Sequence, residues 1–241
     1  MSTWQLDLEQ YPSVVSEKTQ EGELDDLEAI VSSPRRQRYL VVKRGLDIVG
    51  AIVGLIVFSP AMVVAAILIK ITSPGPVVFR HKRLGQYGRE FSCLKLRSMV
   101  PNAELILRDW LANNPRVRHE FERDFKLKND PRIIPVIGKV SRQISLDEVP
   151  QFLNVLRGDM SLIGPRPIVY DEVPKYGDAY SHVALVKPGL TGLWQVSGRN
   201  DVGYGERVEL DLRYIRRMGF WGDVRIVART IRVVLSKYGA Y

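Results

Sequence analysis

The sequence predicts a mainly helical α+β protein, a monotopic membrane protein with a re-entrant helix-break-helix hairpin and a small β-hairpin. First, residues 48–69 carry no charge, over a length that matches a membrane-inserted segment. Second, the chain beyond them consists of short amphipathic segments and many turns, without the regular βαβ alternation of a doubly wound sheet. Third, 241 residues, 45% of them hydrophobic, are enough to enclose a core.

Charge is distributed unevenly along the chain. The net charge is +8, but residues 1–30 carry eight acids and one base and are therefore at −7. The other 211 residues are at +15, which favours an anionic partner such as nucleic acid, anionic lipid or a phosphorylated substrate. A single cysteine excludes an internal disulfide and a cysteine-based zinc site, and three scattered histidines argue against a His-rich metal cage.

Residues 1–34 form the first predicted region, an acidic, disordered cytosolic tail that ends in Ser32-Ser33-Pro34. A short helix around Leu24–Val31 is an alternative for part of this region. No basic segment precedes an apolar run at the start, so these residues do not resemble a signal peptide.

Residues 35–71 form the second region, a basic anchor followed by the apolar segment. Ser59-Pro60 lies near the middle of that segment, and proline removes a helical hydrogen bond and bends the helix. Each half reaches only about 15 Å, half of the hydrocarbon core. Basic residues lie on both sides, which places both ends in the cytoplasm. A re-entrant hairpin satisfies these observations, with the Ser59 hydroxyl bonding freed backbone groups at the break. A fully spanning anchor and a core helix of a soluble protein are the alternatives.

Residues 72–241 form the third region, a cytosolic domain. Val77–Arg80 and Glu90–Leu96 are predicted to pair as a β-hairpin across a glycine-containing turn, and residues 103–111 are predicted to be helical. The glycines match neither a P-loop nor a dinucleotide fingerprint. Residues 223–237 have the pattern of a basic amphipathic helix, which suits an anionic membrane surface; an ordinary surface helix is equally compatible.

Two adjacent carboxylates, Asp147 and Glu148, precede an apolar helical segment. Ser145 and Glu148 have the spacing of a capping box, whereas a helix that begins one or two residues later places Pro150 in its first turn. In either register the carboxylates lie at a helix N-terminus. There they either complement the helix dipole or belong to a site.

Several cations are candidates for the same neighbourhood. Arg142 precedes the two acids by a few residues, and Arg166 lies between Pro165 and Pro167, whose rings restrict the backbone and preorganise an anion contact. Carboxylates together with Arg and Lys suit Mg²⁺ and diphosphate chemistry. The alternative is a non-catalytic basic scaffold on a membrane or on RNA, but it leaves the paired carboxylates unexplained.

The ordered motifs of residues 43–241 resemble those of the bacterial sugar transferases, the monotopic polyprenyl-phosphate phosphoglycosyl transferases. The chain is similar to the compact exopolysaccharide-initiating type, the undecaprenyl-phosphate galactose or glucose phosphotransferases. The motifs that carry the resemblance are Lys43-Arg44 with Asp47, Ser59-Pro60, Ser73-Pro74-Gly75-Pro76, Arg83-x-Gly85-x-x-Gly88-x-x-Phe91, Lys95-Leu96-Arg97-Ser98-Met99, Ser145–Gln151, Gly158–Pro167 and Pro188–Arg199.

The resemblance implies transfer of a sugar-1-phosphate from a UDP-sugar to undecaprenyl phosphate, with release of UMP, as the first membrane step of exopolysaccharide synthesis. It implies that Asp147 is the nucleophile and forms a covalent phosphosugar intermediate, that Glu148 assists, and that both carboxylates contact Mg²⁺. The expected phosphate-binding residues are Lys95, Arg142, Arg166 and Arg199, and Ser59 and Pro60 form the membrane helix break.

The implied location is the cytoplasmic face of the bacterial inner membrane, with phospholipid but no nucleic acid as a partner and homo-oligomerisation left open. The residues that follow Arg199, beginning with Asn200-Asp201-Val202, are similar to those of enzymes that load galactose or glucose.

Overall fold

The computed structural model describes residues 21–124, 127, 130–198 and 202–236. Short 3₁₀ turns lie at Gln86–Gly88, Leu146–Glu148, Tyr170–Glu172 and Trp194–Val196. The helices and strands of the described residues are, in chain order, α1 (Glu21–Ser32), α2 (Pro34–Thr72), β1 (Val78–Leu84), β2 (Glu90–Leu96), α3 (Ala103–Asn113), α4 (Pro115–Asp124), α5 (Ile137–Gln143), α6 (Gln151–Arg157), β3 (Ser161–Ile163), α7 (Val173–Tyr176), α8 (Ala179–Val183), β4 (Gly189–Thr191), α9 (Tyr204–Arg217) and α10 (Phe220–Ser236).

Helix α2 contains the apolar segment as one 39-residue helix with Pro60 in its interior. By length and composition it is able to cross a membrane. The Ser59 hydroxyl donates to the carbonyl of Ile56 at 2.8 Å, the carbonyl that an amide at position 60 would have bonded. The hydrogen bond predicted for the Ser59 hydroxyl is therefore present, whereas the role of Ser59 and Pro60 as a membrane helix break stays a prediction. The helical assignment runs through Pro60 without a gap, and the re-entrant topology stays a prediction.

One face of α2 packs against the rest of the protein along most of its length. Ala51 lies in a cluster with Cys93 and Val155, and Ala65 and Ile69 lie in another, further along the helix. Gly50 and Gly54 allow this close approach: a Cβ at Gly54 would lie 2.6 Å from the ring of Phe152, and one at Gly50 would lie 2.5 Å from Leu162. The opposite face exposes large apolar side chains from Val41 to Ile71.

The largest apolar cluster joins α1, α8, α9 and α10. Leu27 and Val31 of α1 are 0% and 7% exposed and belong to it; they lie four residues apart and therefore on one helix face. This differs from the predicted disorder: residues 21–32 are helical, in agreement with the short helix left open around Leu24–Val31, and Leu27 and Val31 are buried. Residues 1–20 lie outside the described residues.

Two small sheets complete the fold. β1 and β2 form the predicted antiparallel hairpin, with His81 opposite Cys93 and Phe79 opposite Lys95. β3 and β4 form a parallel pair that the sequence analysis did not predict, with Ser161 opposite Gly189. Each strand has three residues, too few to display an alternating pattern.

Helix α10 confirms the predicted C-terminal helix and is tied to α2 by a cluster of buried charges. The Asp223 carboxylate accepts hydrogen bonds from Lys43 Nζ at 2.7 Å, from the Tyr39 hydroxyl at 2.5 Å and from the Tyr214 hydroxyl at 3.1 Å. Asp47 lies 3.7 Å from Lys43 Nζ and accepts the amide of Leu162 in β3 at 3.0 Å. We call Tyr39, Lys43, Asp47, Tyr214 and Asp223 the docking cluster.

Candidate active site

Asp147 and Glu148 lie in the 3₁₀ turn Leu146–Glu148, just before α6. Ser145 has a left-handed backbone (φ 56°) and makes no side-chain capping bond, and α6 begins at Gln151, directly after Pro150. Both predicted helix registers are therefore wrong. The positive φ of Ser145 separates the turn from α5, and Pro150 has no N–H with which to extend it. The carboxylates consequently lie in a tight turn between two helices.

Glu148 is held by two cations from distant parts of the chain. Lys95 Nζ, on β2, lies 2.8 Å from Glu148 Oε1, and Arg166 Nη1 lies 3.6 Å from the same oxygen. The three side chains are only 19–26% exposed, so the pairs are partly shielded from water and stronger than surface pairs. The structure thus brings together three of the residues that the sequence singled out.

Asp147 differs from its neighbour because none of the described side chains donates a hydrogen bond to it. It is 8% exposed. The pKa of its carboxyl group is raised to about 6, mainly by burial; the charge of Lys95 opposes this shift, the negative charge of Glu148 adds to it, and Arg142 opposes it. A buried carboxylate that accepts no hydrogen bond from the described side chains, beside several cations, has surroundings that are typical of a reactive group.

Arg142, near the end of α5, reaches the same cleft. Its Nε donates to the hydroxyl of Ser98 at 3.0 Å, and this hydrogen bond fixes the Arg142 side chain. The positive charge of Arg142 lowers the pKa of Asp147. Arg142 itself is exposed, so its guanidinium is open to a ligand that enters from solvent. Ser98 belongs to the motif that follows Lys95 in the sequence.

The loop that carries Arg166 is held by the short parallel strand pair. The amide of Gly164 donates to Thr191 at 2.9 Å, and the amide of Gly189 donates to Pro165 at 2.7 Å. A Cβ at Gly164 would lie 2.6 Å from the carbonyl oxygen of Lys187, so only glycine allows this approach. The Arg166 guanidinium also lies 5.9 Å from the ring centre of Trp194.

Arg83, on β1 of the hairpin, contacts the same loop. Its Nη1 donates to the carbonyl of Pro167 at 3.0 Å and to Glu172 Oε2 at 3.3 Å. Its Nε donates to His81 Nδ1 at 3.3 Å. Burial lowers the pKa of His81 to about 4, and the charges of Arg83 and Lys95 contribute in the same direction, so His81 is neutral at pH 7.

Trp194, Arg207 and Glu172 are neighbours of the site that sequence reasoning did not assign to it. Arg207 lies 4.9 Å from the Trp194 ring centre, and Glu172 accepts the Tyr204 hydroxyl at 2.7 Å. In the sequence, Trp194 stands out only as part of the Pro188–Arg199 motif. Nothing local in the sequence indicates that these residues, on three separate elements, meet near Arg166.

A cleft of about 2520 Å³ is lined by the predicted catalytic and phosphate-binding residues that the structure describes, but not by Ser59 or Pro60. Its lining includes Lys95, Arg142, Asp147, Glu148 and Arg166, together with apolar residues of α2 such as Val57 and Phe58. The cleft therefore joins a charged region to the apolar helix. Arg199 lies outside the described residues.

The carboxylates suit a magnesium ion that is shared with a substrate. Among the described residues no group of three or more potential protein ligands comes together, so a closed, all-protein cage is not present there. Mg²⁺ commonly uses one or two carboxylates and completes its shell with phosphate oxygens and water. The hard oxygen donors of Asp147 and Glu148, within a cleft rich in cations, fit that mode of binding.

A buried carboxylate, several cations that line an open cleft and an adjoining exposed apolar helix are features expected of a membrane-associated enzyme that handles phosphorylated substrates. Residues 38–237 match the family model of the bacterial sugar transferases, and the chain belongs to this family. The resemblance inferred from the motifs is confirmed.

The relatives of the chain differ in length. The chain is 50% identical over 208 residues to an undecaprenyl-phosphate galactose phosphotransferase of Salmonella typhimurium, covering 86% of the chain but 43% of that protein. It is 42% identical over 201 residues to the exopolysaccharide production protein ExoY of Rhizobium meliloti, covering 83% of the chain and 88% of that protein. It is 38% identical over 213 residues to a UDP-glucose:undecaprenyl-phosphate glucose-1-phosphate transferase of Caulobacter vibrioides, covering 83% and 72%. The chain spans less than half the length of the Salmonella protein.

Proposed function

We propose that the protein transfers a sugar-1-phosphate from a UDP-sugar to undecaprenyl phosphate at the cytoplasmic face of the bacterial inner membrane. The names of its relatives, which include galactose and glucose phosphotransferases, support this reaction and favour galactose or glucose as the sugar. The name of the Rhizobium relative supports a place in exopolysaccharide synthesis. The observation that carries the proposal is the environment of Asp147: 8% exposed, close to cations and without a side-chain hydrogen bond from the described residues.

The proposed chemistry has two displacements at one phosphorus atom. In the first, an Asp147 carboxylate oxygen attacks the β-phosphorus of the UDP-sugar, the bond to the bridging oxygen breaks, and UMP leaves with that electron pair. In the second, a phosphate oxygen of undecaprenyl phosphate attacks the same phosphorus and breaks its bond to Asp147. The carboxylate is thereby regenerated, and a lipid-linked diphosphate sugar is formed.

The cations of the site stabilise the negative charge that these displacements move. Lys95 and Arg166 are held by Glu148 beside the two adjacent carboxylates, Asp147 and Glu148, which we call the dyad, and Arg142 is held by Ser98. Little reorganisation is therefore needed when a diphosphate enters. Glu148 is engaged by both cations, and we assign it the role of orienting them. Mg²⁺ bound by Asp147 and Glu148 would neutralise part of the diphosphate charge.

The packing of α2 supports a monotopic arrangement. Lys43 and Ile69, 26 residues apart, are both buried against the rest of the chain, a distance of about 39 Å along a straight helix. Because the protein contacts both halves of α2, a segment that crossed the bilayer would have to carry these contacts across it. A segment that enters and leaves on the cytoplasmic side retains them.

Release of UMP in the absence of the lipid acceptor tests the proposed covalent route. Purified protein mixed with UDP-galactose or UDP-glucose and Mg²⁺ should release at most one UMP per protein, with a matching phosphosugar mass on Asp147. Addition of undecaprenyl phosphate should then allow turnover. UMP release that strictly requires the acceptor would exclude the covalent route and leave the transfer reaction intact, whereas no UMP with any UDP-sugar would refute the function.

Cysteine labelling tests the topology. Arg38→Cys and Thr72→Cys place reporters near the two ends of α2, both at exposed positions. An impermeant maleimide should label both in inside-out membrane vesicles and neither in right-side-out vesicles. Labelling of the two positions from opposite sides would establish a spanning helix. The single native cysteine, Cys93, is buried. Labelling of the unsubstituted protein measures any background reaction at Cys93.

A further inference from the structure

Asn154 of α6 is fully buried and uses every polar atom of its side chain. It is 0% exposed. Its Oδ1 accepts the backbone amide of Leu94 at 2.9 Å. Its Nδ2 donates to the carbonyl of Ser92 at 2.8 Å and to Asp159 Oδ2 at 3.1 Å. A buried amide with three bonds of good length is rigidly held.

The two backbone partners lie on the free edge of β2. The other edge of β2 pairs with β1, so a two-stranded sheet would leave the outward amide of Leu94 and the outward carbonyl of Ser92 without a strand partner. Asn154 bonds to both. An amide and a carbonyl two residues apart are the groups that one residue of a neighbouring parallel strand would contact. The side chain of Asn154 therefore substitutes for a single residue of a third strand.

This contact sets the position of β2 along α6. The apolar contacts between the two elements, such as those of Cys93 and Val155, bring them together but have little directional preference. The hydrogen bonds of Asn154 do have one, because a shift of β2 along its own axis would break both of them. Moreover, the backbone carbonyl of Asn154 accepts the amides of Gly158, Asp159 and Met160, which anchors this residue at the end of α6.

The elements that Asn154 joins are the two that carry the Lys95–Glu148 pair. Lys95 directly follows Leu94 on β2, and Glu148 lies three residues before the start of α6. The Nζ–Oε1 distance of 2.8 Å depends on the relative position of the two elements. A displacement of about 1 Å is sufficient to cost a reaction up to 100-fold in rate.

We infer that Asn154 is a positioning residue: by pairing with the edge of β2 it sets the distance between Lys95 and Glu148, and through them the alignment of the transferred phosphate. This inference rests on the proposed function, since it assigns Lys95 to the reaction described above. It predicts that Asn154 acts through Lys95 and that its effect depends on the presence of that side chain.

A double-mutant cycle tests this inference with detergent-solubilised or nanodisc-embedded full-length protein. Asn154→Leu keeps a similar volume but leaves the edge of β2 unpaired; we expect kcat per folded molecule to fall about 10- to 100-fold, with KM for the UDP-sugar within about threefold. In a Lys95→Met background the same substitution should lower kcat less than about threefold. Equal losses in the two backgrounds would overturn the positioning role.

A matched control separates positioning from stability. Ile215→Ala creates a cavity in the main core, at a residue that is 0% exposed, and lowers stability without contacting β2 or the dyad. Its kcat per folded molecule should remain within about twofold of the unsubstituted protein in both backgrounds.

If Asn154→Leu does not fold, Asn154→Asp, which retains the acceptor for Leu94, takes its place in the cycle. Unsubstituted protein that releases no UMP contradicts the proposed function, whereas active protein with additive losses contradicts only the role of Asn154.

Discussion

The docking cluster and the turn Leu146–Glu148 each contain a nearly buried carboxylate, in opposite surroundings. Asp223 is 7% and Asp147 is 8% exposed. Asp223 accepts hydrogen bonds from Lys43, Tyr39 and Tyr214, whereas Asp147 receives none from the side chains of the described residues. A saturated buried carboxylate holds elements together, since removal of its lysine partner leaves an uncompensated charge and removal of a tyrosine leaves a hydrogen bond unmade. An unsaturated one is available to a substrate.

The same contrast extends to the cations. Lys43 is committed to Asp223 and Asp47 inside the protein, and Arg44 donates to the carbonyls of Val155 and Leu156 at the end of α6. Both therefore fix α2 to the domain. Lys95, Arg142 and Arg166 instead line an open cleft. These five basic residues thus divide into two that dock the apolar helix and three that line the cleft.

Replacement of the unsaturated carboxylate should have the largest effect on the reaction. Asp147→Asn retains the shape of the side chain but removes its nucleophilic oxygen, so we expect UMP release to fall at least about 10³-fold. The measurement is turnover with UDP-sugar and undecaprenyl phosphate. Activity within tenfold of the unsubstituted protein would remove Asp147 from the role of nucleophile.

Replacement of the saturated carboxylate should act on stability instead. Asp223→Asn leaves Lys43 buried beside a neutral amide, and we expect the free energy of unfolding to fall by about 3 kcal/mol. Asp47, 3.7 Å from Lys43 Nζ, limits the loss. Denaturation in detergent measures it, and the rate per folded molecule should stay within about threefold. An unchanged denaturation midpoint would show that the docking cluster does not stabilise the fold.

The pH dependence of stability sharpens the comparison further. Burial raises the pKa of Asp147 from 3.8 to about 6, so the charged form costs folding free energy above about pH 6. This cost decreases as the pH falls from about 6 to 3.8 and is absent below that range. Asp147→Asn should therefore be more stable than the unsubstituted protein at pH 8, by on the order of 1–3 kcal/mol.

Thermal denaturation at pH 8 and pH 5 measures this difference. The advantage of Asp147→Asn should be largest at pH 8 and smaller at pH 5. Equal stabilities of the two proteins at pH 8 would show that the charged carboxylate is not destabilised by its surroundings. A larger advantage at pH 5 than at pH 8 would reverse the sign of the predicted linkage.

A conservative change of a cleft cation should give the smallest of these effects. Arg166 contacts both Glu148 and the face of Trp194, and lysine does not reproduce the two contacts together. We expect Arg166→Lys to lower kcat/KM about tenfold. Arg225→Lys, at an exposed position of α10, serves as the control and should leave kcat/KM unchanged. Equal values for the two variants would exclude a specific role for the Arg166 guanidinium.

Local patterns predicted several elements correctly. The β1–β2 hairpin, helix α3 and helix α10 all follow from short-range periodicity and turn residues, because neighbouring residues determine such elements. The hydrogen bond of Ser59 was predicted for the same reason, since its partner lies three residues away.

The misses involve contacts between residues that are far apart in the chain. The three-residue strands β3 and β4 are stabilised by each other and not by their own composition, so no local signal marks them. Leu27 and Val31 lie in an acidic segment and appear exposed until α8 and α9 cover them. The capping-box interpretation of Ser145 failed because the surrounding fold holds this residue in a left-handed conformation.

The sequence by itself determined the family, the identity of the two carboxylates and the cations, and the length of the apolar segment, because these are properties of residue type and spacing. Only the tertiary structure decided that Glu148 is paired with cations, whereas Asp147 accepts no hydrogen bond from the side chains of the described residues. Glu148 is paired because Lys95 arrives from β2 and Arg166 from the loop after β3, and Asp147 is destabilised because distant elements bury it. Desolvation and pairing depend on atoms that are close in space and remote in sequence.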